Sequence, residues 1–164
     1  MSMKARYLSG LVMLALLPGA VARADTGCVF DPAVAKMPTV LQTEQVRNYD
    51  WNEEDRRARG LLDDGSLFSV RYWACNHVGA RVVLLIDESA GLGKPELRSR
   101  ISAAAAFLPE EEARIVRAYV ADIRDLKLQE YKRVTLPVAE YSEFSLGYGT
   151  VSESFVIEVM YYFD

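Results

Sequence analysis

Few side chains in this sequence could carry covalent chemistry. The chain has one histidine, His77, and two cysteines, Cys28 and Cys75. Cys75 and His77 lie two residues apart, which would place both on one face of a strand, where a histidine could activate a thiol. Catalytic cysteine and histidine usually come from separate segments, however. The sequence also has no G-x-S-x-G turn for a serine nucleophile, and we predict no catalytic residues.

Metal and phosphate motifs are missing as well. A zinc site built on His77 would take its other ligands from carboxylates or the cysteines, and there is no HExxH, CxxC or histidine cluster. Residues 63–65 lack the further carboxylates of a calcium loop. Residues 91–94 lack the first glycine of a phosphate loop, and Pro95 stands where that loop needs Ser or Thr. We therefore predict neither a metal nor a cofactor.

The first 24 residues have the pattern of a cleaved signal peptide. Lys4 and Arg6 form a cationic start, residues 11–17 are all apolar, and residues 22–24 read Ala-Arg-Ala, which suits a signal peptidase. The apolar run is shorter than the roughly 20 residues of a membrane span. We expect cleavage after Ala24, export to the periplasm or the medium, and no membrane span in the mature chain.

Loss of residues 1–24 would change the charge of the protein. The whole chain has 19 Lys and Arg against 23 Asp and Glu, a formal charge of −4. The leader contains Lys4, Arg6 and Arg23 and no acidic residue, so the mature chain has 16 basic and 23 acidic residues, a charge of −7. A net negative chain repels phosphate backbones. We expect a basic protein partner rather than nucleic acid, and the oligomeric state stays open.

The mature chain, residues 25–164, is predicted to be one globular domain that starts with strands. Residues 25–54 form an N-terminal arm with a short helical turn and a strand near residues 45–51. Residues 57–62 and 67–75 flank an Asp/Gly turn, which is a hairpin signal. In the second run Phe68, Val70 and Tyr72 share one face, and Ser69, Arg71 and Trp73 share the other. Residues 81–87 contain five successive apolar positions, 82–86, which predicts a central strand covered on both faces.

Two helical patterns follow this strand, and three further strands follow the helices. The first helix begins near Pro95. The second begins at Pro109 and continues with three glutamates that complement the helix dipole. The residues predicted to face the core are Leu97, Ile101, Ala104 and Leu108 in the first helix and Ile115, Val116, Tyr119, Val120, Ile123 and Leu126 in the second. We predict an α+β fold of order β-β-β-α-α-β-β-β, with a mostly antiparallel sheet and the two helices packed on it.

The C-terminal residues 134–164 have an uneven composition. They include five acidic residues, seven aromatic residues and no Lys or Arg. Exposed tyrosines among carboxylates suit the docking of a basic partner, because the rings supply contact area and the charges steer the encounter. The alternative is that most of these aromatic residues fill the core of the sheet. The candidate binding residues are Glu140, Tyr141, Glu143 and Tyr148; of these, Tyr141, Glu143 and Tyr148 are expected to be exposed.

Together these features favour a small exported protein-binding module, such as an inhibitor or an immunity protein against a basic enzyme that acts on the cell envelope. Two alternatives stay open. One is a small hydrolase that uses carboxylates, or a serine with His77. The other is an envelope protein that binds a small ligand. Because fold does not decide function, the geometry of the site has to discriminate between these classes.

We predict a disulfide between Cys28 and Cys75. Both cysteines remain after cleavage, and paired cysteines are typical of exported domains. Closing a loop of 48 residues should stabilise the fold by about 4 kcal/mol in the chain-entropy model. Reduction should therefore lower the melting temperature in thermal unfolding with and without reductant. Two free thiols in a thiol titration of the exported protein would overturn this pairing.

Overall fold

The computed structural model describes residues 37–74, 77–87, 93–124, 126 and 130–163. These residues form seven strands and two α-helices, preceded by one 3₁₀ turn, Thr39–Gln42. The strands are β1 (Val46–Asn52), β2 (Arg57–Leu62), β3 (Leu67–Ala74), β4 (Val78–Asp87), β5 (Lys132–Thr135), β6 (Glu143–Val151) and β7 (Ser154–Phe163). The helices, α1 (Lys94–Ala105) and α2 (Glu110–Asp122), come between β4 and β5.

The seven strands form one sheet in the order β1-β2-β3-β4-β7-β6-β5, and every neighbouring pair is antiparallel. The predicted α+β class and antiparallel sheet are confirmed. Four strands rather than three precede the helices, because the strand predicted in the N-terminal arm joins the sheet as β1. The helical pair carries the chain from the middle of the sheet to its far edge, so that β7 returns beside β4.

The β2–β3 hairpin forms around the predicted Asp/Gly turn. Gly65 has a φ of 87°, a conformation that L side chains rarely adopt, so the turn requires a glycine at this position. Asp64 accepts a hydrogen bond from the backbone N–H of Ser66 at 2.8 Å. The same carboxylate forms an ion pair with Arg100 of α1. The turn therefore also holds the first helix against the sheet.

Both helices pack on one face of the sheet. All four positions of the predicted α1 stripe are buried. In the second stripe, Val116, Val120 and Leu126 are buried, while Ile115, Tyr119 and Ile123 are partly buried against the core. The turn between the helices is fixed to β3 by Phe107, whose ring lies 4.7 Å from that of Phe68 and whose carbonyl accepts a hydrogen bond from the Tyr72 hydroxyl.

The prediction that β4 is covered on both faces is wrong for the face opposite the helices. Val82, Leu84 and Ile86 are buried under the helical layer, as expected. Val83 is half-buried and Leu85 is 41% exposed. Two helices form one covering layer, and no described helix lies on the other side of the sheet. We call this second side the uncovered face.

A buried carboxylate, Glu158 of β7, joins three strands on the uncovered face. Its side chain is only 6% exposed. Its Oε1 accepts a hydrogen bond from Nε of Arg81 on β4 at 2.7 Å, and its Oε2 accepts one from Nη2 of Arg133 on β5 at 2.8 Å. The hydroxyl of Tyr131 donates to the same Oε2. A Cβ on Gly147 would overlap the Tyr131 ring, so the glycine makes room for this donor.

We expect Glu158→Gln to lower the free energy of unfolding by about 2 kcal/mol near neutral pH, because it uncouples Arg81 and Arg133 from a buried anion. Burial raises the pKa of Glu158, but hydrogen bonds from Tyr131 and Arg133 and the charges of both arginines outweigh burial and lower it.

The lowered pKa of Glu158 fixes the pH range of this effect. The stabilisation is fully present above the unfolded glutamate pKa of about 4.3 and is lost as the pH falls through the lower folded pKa. Urea unfolding at about pH 7 and about pH 3 should therefore show a smaller difference between wild type and variant in acid. An equal difference at both pH values would contradict the charged state of Glu158.

Candidate functional site

Tyr141 is the predicted site residue with the most defined surroundings. It lies just before β6, and it is partly buried against the core. Its ring contacts those of Phe144, Tyr161 and Phe163, with centroids 5.0, 5.6 and 5.5 Å away. The contacts are edge-on, which is a favourable geometry for aromatic pairs. We call these four rings the aromatic cluster.

The hydroxyl of Tyr141 is anchored to the helical layer. It donates a hydrogen bond to Oε1 of Glu112, at 3.0 Å, in the first turn of α2. Burial, the charge and hydrogen bond of Glu112, and the charges of Glu111 and Glu140 together raise the pKa of Tyr141. Tyr141 is therefore a neutral donor at physiological pH.

A cleft of about 630 Å³ opens beside the aromatic cluster. The turn between the helices and the first turn of α2 form one wall, and Tyr72, Tyr161 and Phe163 contribute to its lining. Three consecutive glutamates, Glu110–Glu112, also line it. We call it the acidic cleft. Glu140, in the turn before Tyr141, is a further exposed carboxylate outside this lining.

Glu112 is the residue of this site that sequence reasoning missed. From the sequence, the three consecutive glutamates are expected only to complement the dipole of the helix. Glu112 is instead buried, whereas Glu110 and Glu111 are exposed. The signal was present in the spacing, because Glu112 precedes Val116 by four residues and so lies on the same helical face as the buried stripe.

Glu140 and Tyr141 lie together next to the acidic cleft, but Glu143 does not share that side. Glu143 pairs with Tyr162 of β7. It precedes Ser145 by two residues along β6. The hydroxyl of Ser145 donates a hydrogen bond to the Glu143 carboxylate at 3.1 Å. Alternation along β6 therefore places Glu143 on the uncovered face.

The expectation that Tyr148 is exposed is wrong. Its side chain belongs to the core, and the residue is only 7% exposed. Gly147 and Gly149 flank Tyr148, and β6 continues through both of them and pairs with β7 on one side. Tyr148 therefore lies in the middle of a strand, on the face covered by the helices. It is a packing residue rather than part of a surface.

His77 is the residue on which most of the alternative chemistry depends. His77 is exposed, and its ring lies 6.0 Å from that of Tyr162. Among the described residues, no three His, Cys, Asp or Glu side chains are placed to hold a metal ion. Cys28 and Cys75, and with them the predicted disulfide, lie outside the described residues. The predicted signal segment does as well.

The part of the chain that the structure describes contains no helix that is long and apolar enough to span a membrane. Comparison with protein-family models, with curated proteins and with solved structures gives no match to this chain. The function is therefore argued from the geometry and charge of the acidic cleft.

Tyr141→Phe and Glu112→Gln test how the cleft is held together. Each change should lower the free energy of unfolding by about 1 to 2 kcal/mol, because each breaks a hydrogen bond to a buried carboxylate. The effects should not add, and a double-mutant cycle in urea unfolding should give a coupling of about 1 kcal/mol. Additive effects would mean that the two side chains do not stabilise each other.

Proposed function

We propose that the protein is an exported protein-binding module, periplasmic or secreted, whose acidic cleft receives a basic segment of a partner protein. The observation that carries this proposal is that three carboxylates line a cleft beside the aromatic cluster, while a fourth, Glu140, lies next to Tyr141 in the chain. Glu110, Glu111 and Glu112 come from the start of α2, and Glu140 comes from the turn before Tyr141.

The carboxylates of the cleft have little internal compensation. Within the described part of the chain, their one ion pair joins Glu110 to Arg117 at 3.5 Å, and the two side chains are 87% and 42% exposed. Exposed pairs of this kind contribute little. Glu111 and Glu140 are exposed and make no described ion pair. The local negative potential is therefore available to steer a basic partner.

The lining of the cleft suits the side chains of lysine and arginine. Phe163 is half-buried and supplies aromatic surface beside the carboxylates, whereas Tyr161 is only 2% exposed and backs this wall from the core. A cation can pack against such a ring while its charge interacts with the acidic residues. The bond from Tyr141 to Glu112 holds the buried carboxylate in place before a partner arrives, which lowers the ordering cost of binding.

A small domain that presents such a cleft would act by covering a surface of its partner. We therefore favour an inhibitor or an immunity protein that blocks a basic enzyme acting on the cell envelope. The predicted export and the mature charge of −7 support a partner in that compartment. In this role the protein itself makes or breaks no covalent bond. The cleft contributes charge, shape and fixed aromatic contacts.

Neutralising the exposed acids should abolish partner capture. The test variant combines Glu110→Gln, Glu111→Gln and Glu140→Gln, which leaves the buried Glu112 intact. Immobilised wild-type protein should retain basic proteins from an envelope extract at low salt, and the variant should retain at least about tenfold less, a loss of about 1.4 kcal/mol. Quantitative mass spectrometry of the retained proteins measures the difference.

The matched control combines Glu44→Gln, Glu53→Gln and Glu54→Gln, three exposed acids near the ends of β1. It changes the net charge equally and should retain the same proteins as wild type. Equal loss in both variants would show that net charge alone governs retention. Unchanged retention by the test variant would refute the acidic cleft as the binding site.

A further inference from the structure

The uncovered face carries a second set of side chains, which the acidic cleft does not use. On β3, Phe68 and Tyr72 contact Phe107 of the helical layer. Side chains alternate along a strand, so Ser69 and Arg71 point to the opposite side. Arg71 is exposed, and the strand register shows which residues lie next to it.

Three arginines stand directly opposite one another across β2, β3 and β4. Arg57 pairs with Arg71, and Arg71 pairs with Arg81. Neighbouring strands are about 5 Å apart, so the three side chains start close together on one face. Like charges directly opposite each other destabilise a sheet. We call these three residues the arginine row.

Arg81 is only partly neutralised by its neighbour Glu158. Its Nε donates to the Glu158 carboxylate, but its side chain is 52% exposed. Glu158 also accepts hydrogen bonds from Arg133 and Tyr131. One carboxylate thus serves two arginines, and the group keeps a net positive charge. The hydrogen bond to Glu158 holds Arg81 by its Nε and orients the rest of the guanidinium group.

The other two members of the row have even less compensation. Arg57 and Arg71 make no ion pair within the residues that the structure describes. Asp50 and Asp55 line a small pocket with Arg57 at the β1 end. Neither aspartate lies opposite Arg71, the central residue of the row. The residues paired with Arg71 on β2 and β4 are both arginines. The row therefore lacks an anion at its centre.

An apolar row runs parallel to the arginines on the same face. Leu61, Leu67, Leu85 and Val156 pair in succession across β2, β3, β4 and β7. Leu67 is 53% exposed and Leu85 is 41% exposed. The three leucines line an open trough of about 800 Å³. We call these four residues the leucine row. It lies four residues along each strand from the arginines, about 13 Å away.

We propose that the arginine row binds the phosphate headgroup of an anionic lipid whose acyl chain lies along the leucine row. Guanidinium groups bind phosphate through paired hydrogen bonds, and two neighbouring arginines can share one phosphate. The exposed leucines supply apolar surface for the chain. This site is independent of the acidic cleft, which lies beside the helical layer.

An acyl chain fits the trough better than an extended peptide. The backbone groups of β2, β3 and β4 are paired within the sheet. A peptide strand laid across the leucines would leave its own N–H and C=O groups without partners. An acyl chain has no such groups. The combination of uncompensated cations and exposed leucines therefore favours a lipid over an acidic peptide strand.

Arg71→Glu is the most informative variant, because it places a carboxylate between two arginines. It should raise the melting temperature while reducing lipid binding, so lost binding cannot be attributed to unfolding. The protein is tested by co-sedimentation with phosphatidylcholine vesicles, with and without phosphatidic acid. Wild type should bind only the anionic vesicles, and Arg71→Glu should bind them at least about 30-fold more weakly, since two charges are changed.

Three further arms separate the possible ligands. Arg114→Glu, at an exposed position on α2, makes the same charge change and should bind vesicles as wild type does. The double variant Leu67→Ser with Leu85→Ser should bind vesicles more weakly. Dihexanoyl phosphatidic acid should also raise its melting temperature less than it raises that of wild type. Inorganic phosphate should raise the melting temperature of wild type much less than that short-chain lipid does.

An equal rise in melting temperature with inorganic phosphate and with the short-chain lipid would overturn the lipid assignment in favour of a free phosphate ligand. Equal weakening by Arg114→Glu would show that binding depends on net charge and not on the row. Failure of wild type to bind either form of phosphatidic acid would refute the proposal and leave the row to an acidic protein. None of these outcomes depends on partner capture at the acidic cleft.

Discussion

A seven-stranded sheet needs cover on its apolar face, and this chain supplies one layer of two helices. That constraint decides the chemical character of both sides of the sheet. On the helical side, Phe107 joins the turn between the helices to Phe68 and Tyr72 of β3. On the other side, Glu158 binds Arg81 and Arg133 and so links β4, β7 and β5 by charge rather than by apolar packing. Burial of this carboxylate is tolerated because its hydrogen-bonding capacity is met.

The two surfaces that we assign to function follow from this division. The acidic cleft forms where the start of α2 meets the aromatic cluster, and the arginine row lies on the side without helices. The net charge of the chain sums the charges of the acidic cleft and of the arginine row. The predicted mature charge of −7 is consistent with a basic partner at the cleft, yet it conceals a positive row on the same molecule. Separated patches of opposite sign can bind different partners, because surface potentials are local over about a Debye length, about 8 Å at physiological ionic strength.

Patterns within single elements could be predicted from the sequence. Alternation along β3 placed Phe68, Val70 and Tyr72 on one face of the strand, and all three are buried. The α1 stripe and the Asp/Gly hairpin are also confirmed, because helical periodicity and turn chemistry are local properties. Tyr148 shows where local reasoning failed. Its place in the acidic, aromatic C-terminal segment suggested a surface residue, but pairing of β6 with β7 keeps it in a strand.

Relations between distant residues could not be predicted in this way. Arg57, Arg71 and Arg81 are separated by 14 and 10 residues, and nothing in their local patterns sets the register that places them opposite one another. The contact between Tyr141 and Glu112 likewise joins an edge of the sheet to a helix. The apolar run of β4 predicted cover on both faces, because a sequence does not reveal how many layers the fold provides.

The central claim is that basic partners bind at the acidic cleft, and NMR chemical-shift mapping with a lysine-rich peptide tests it most directly. Titration should shift the backbone amide signals of Glu111, Tyr141 and Phe163 while leaving those of Arg71 and Leu85 unchanged. Added salt should reverse the shifts. Shifts spread evenly over the surface, or confined to the side of the sheet that carries the arginine row, would contradict the claim.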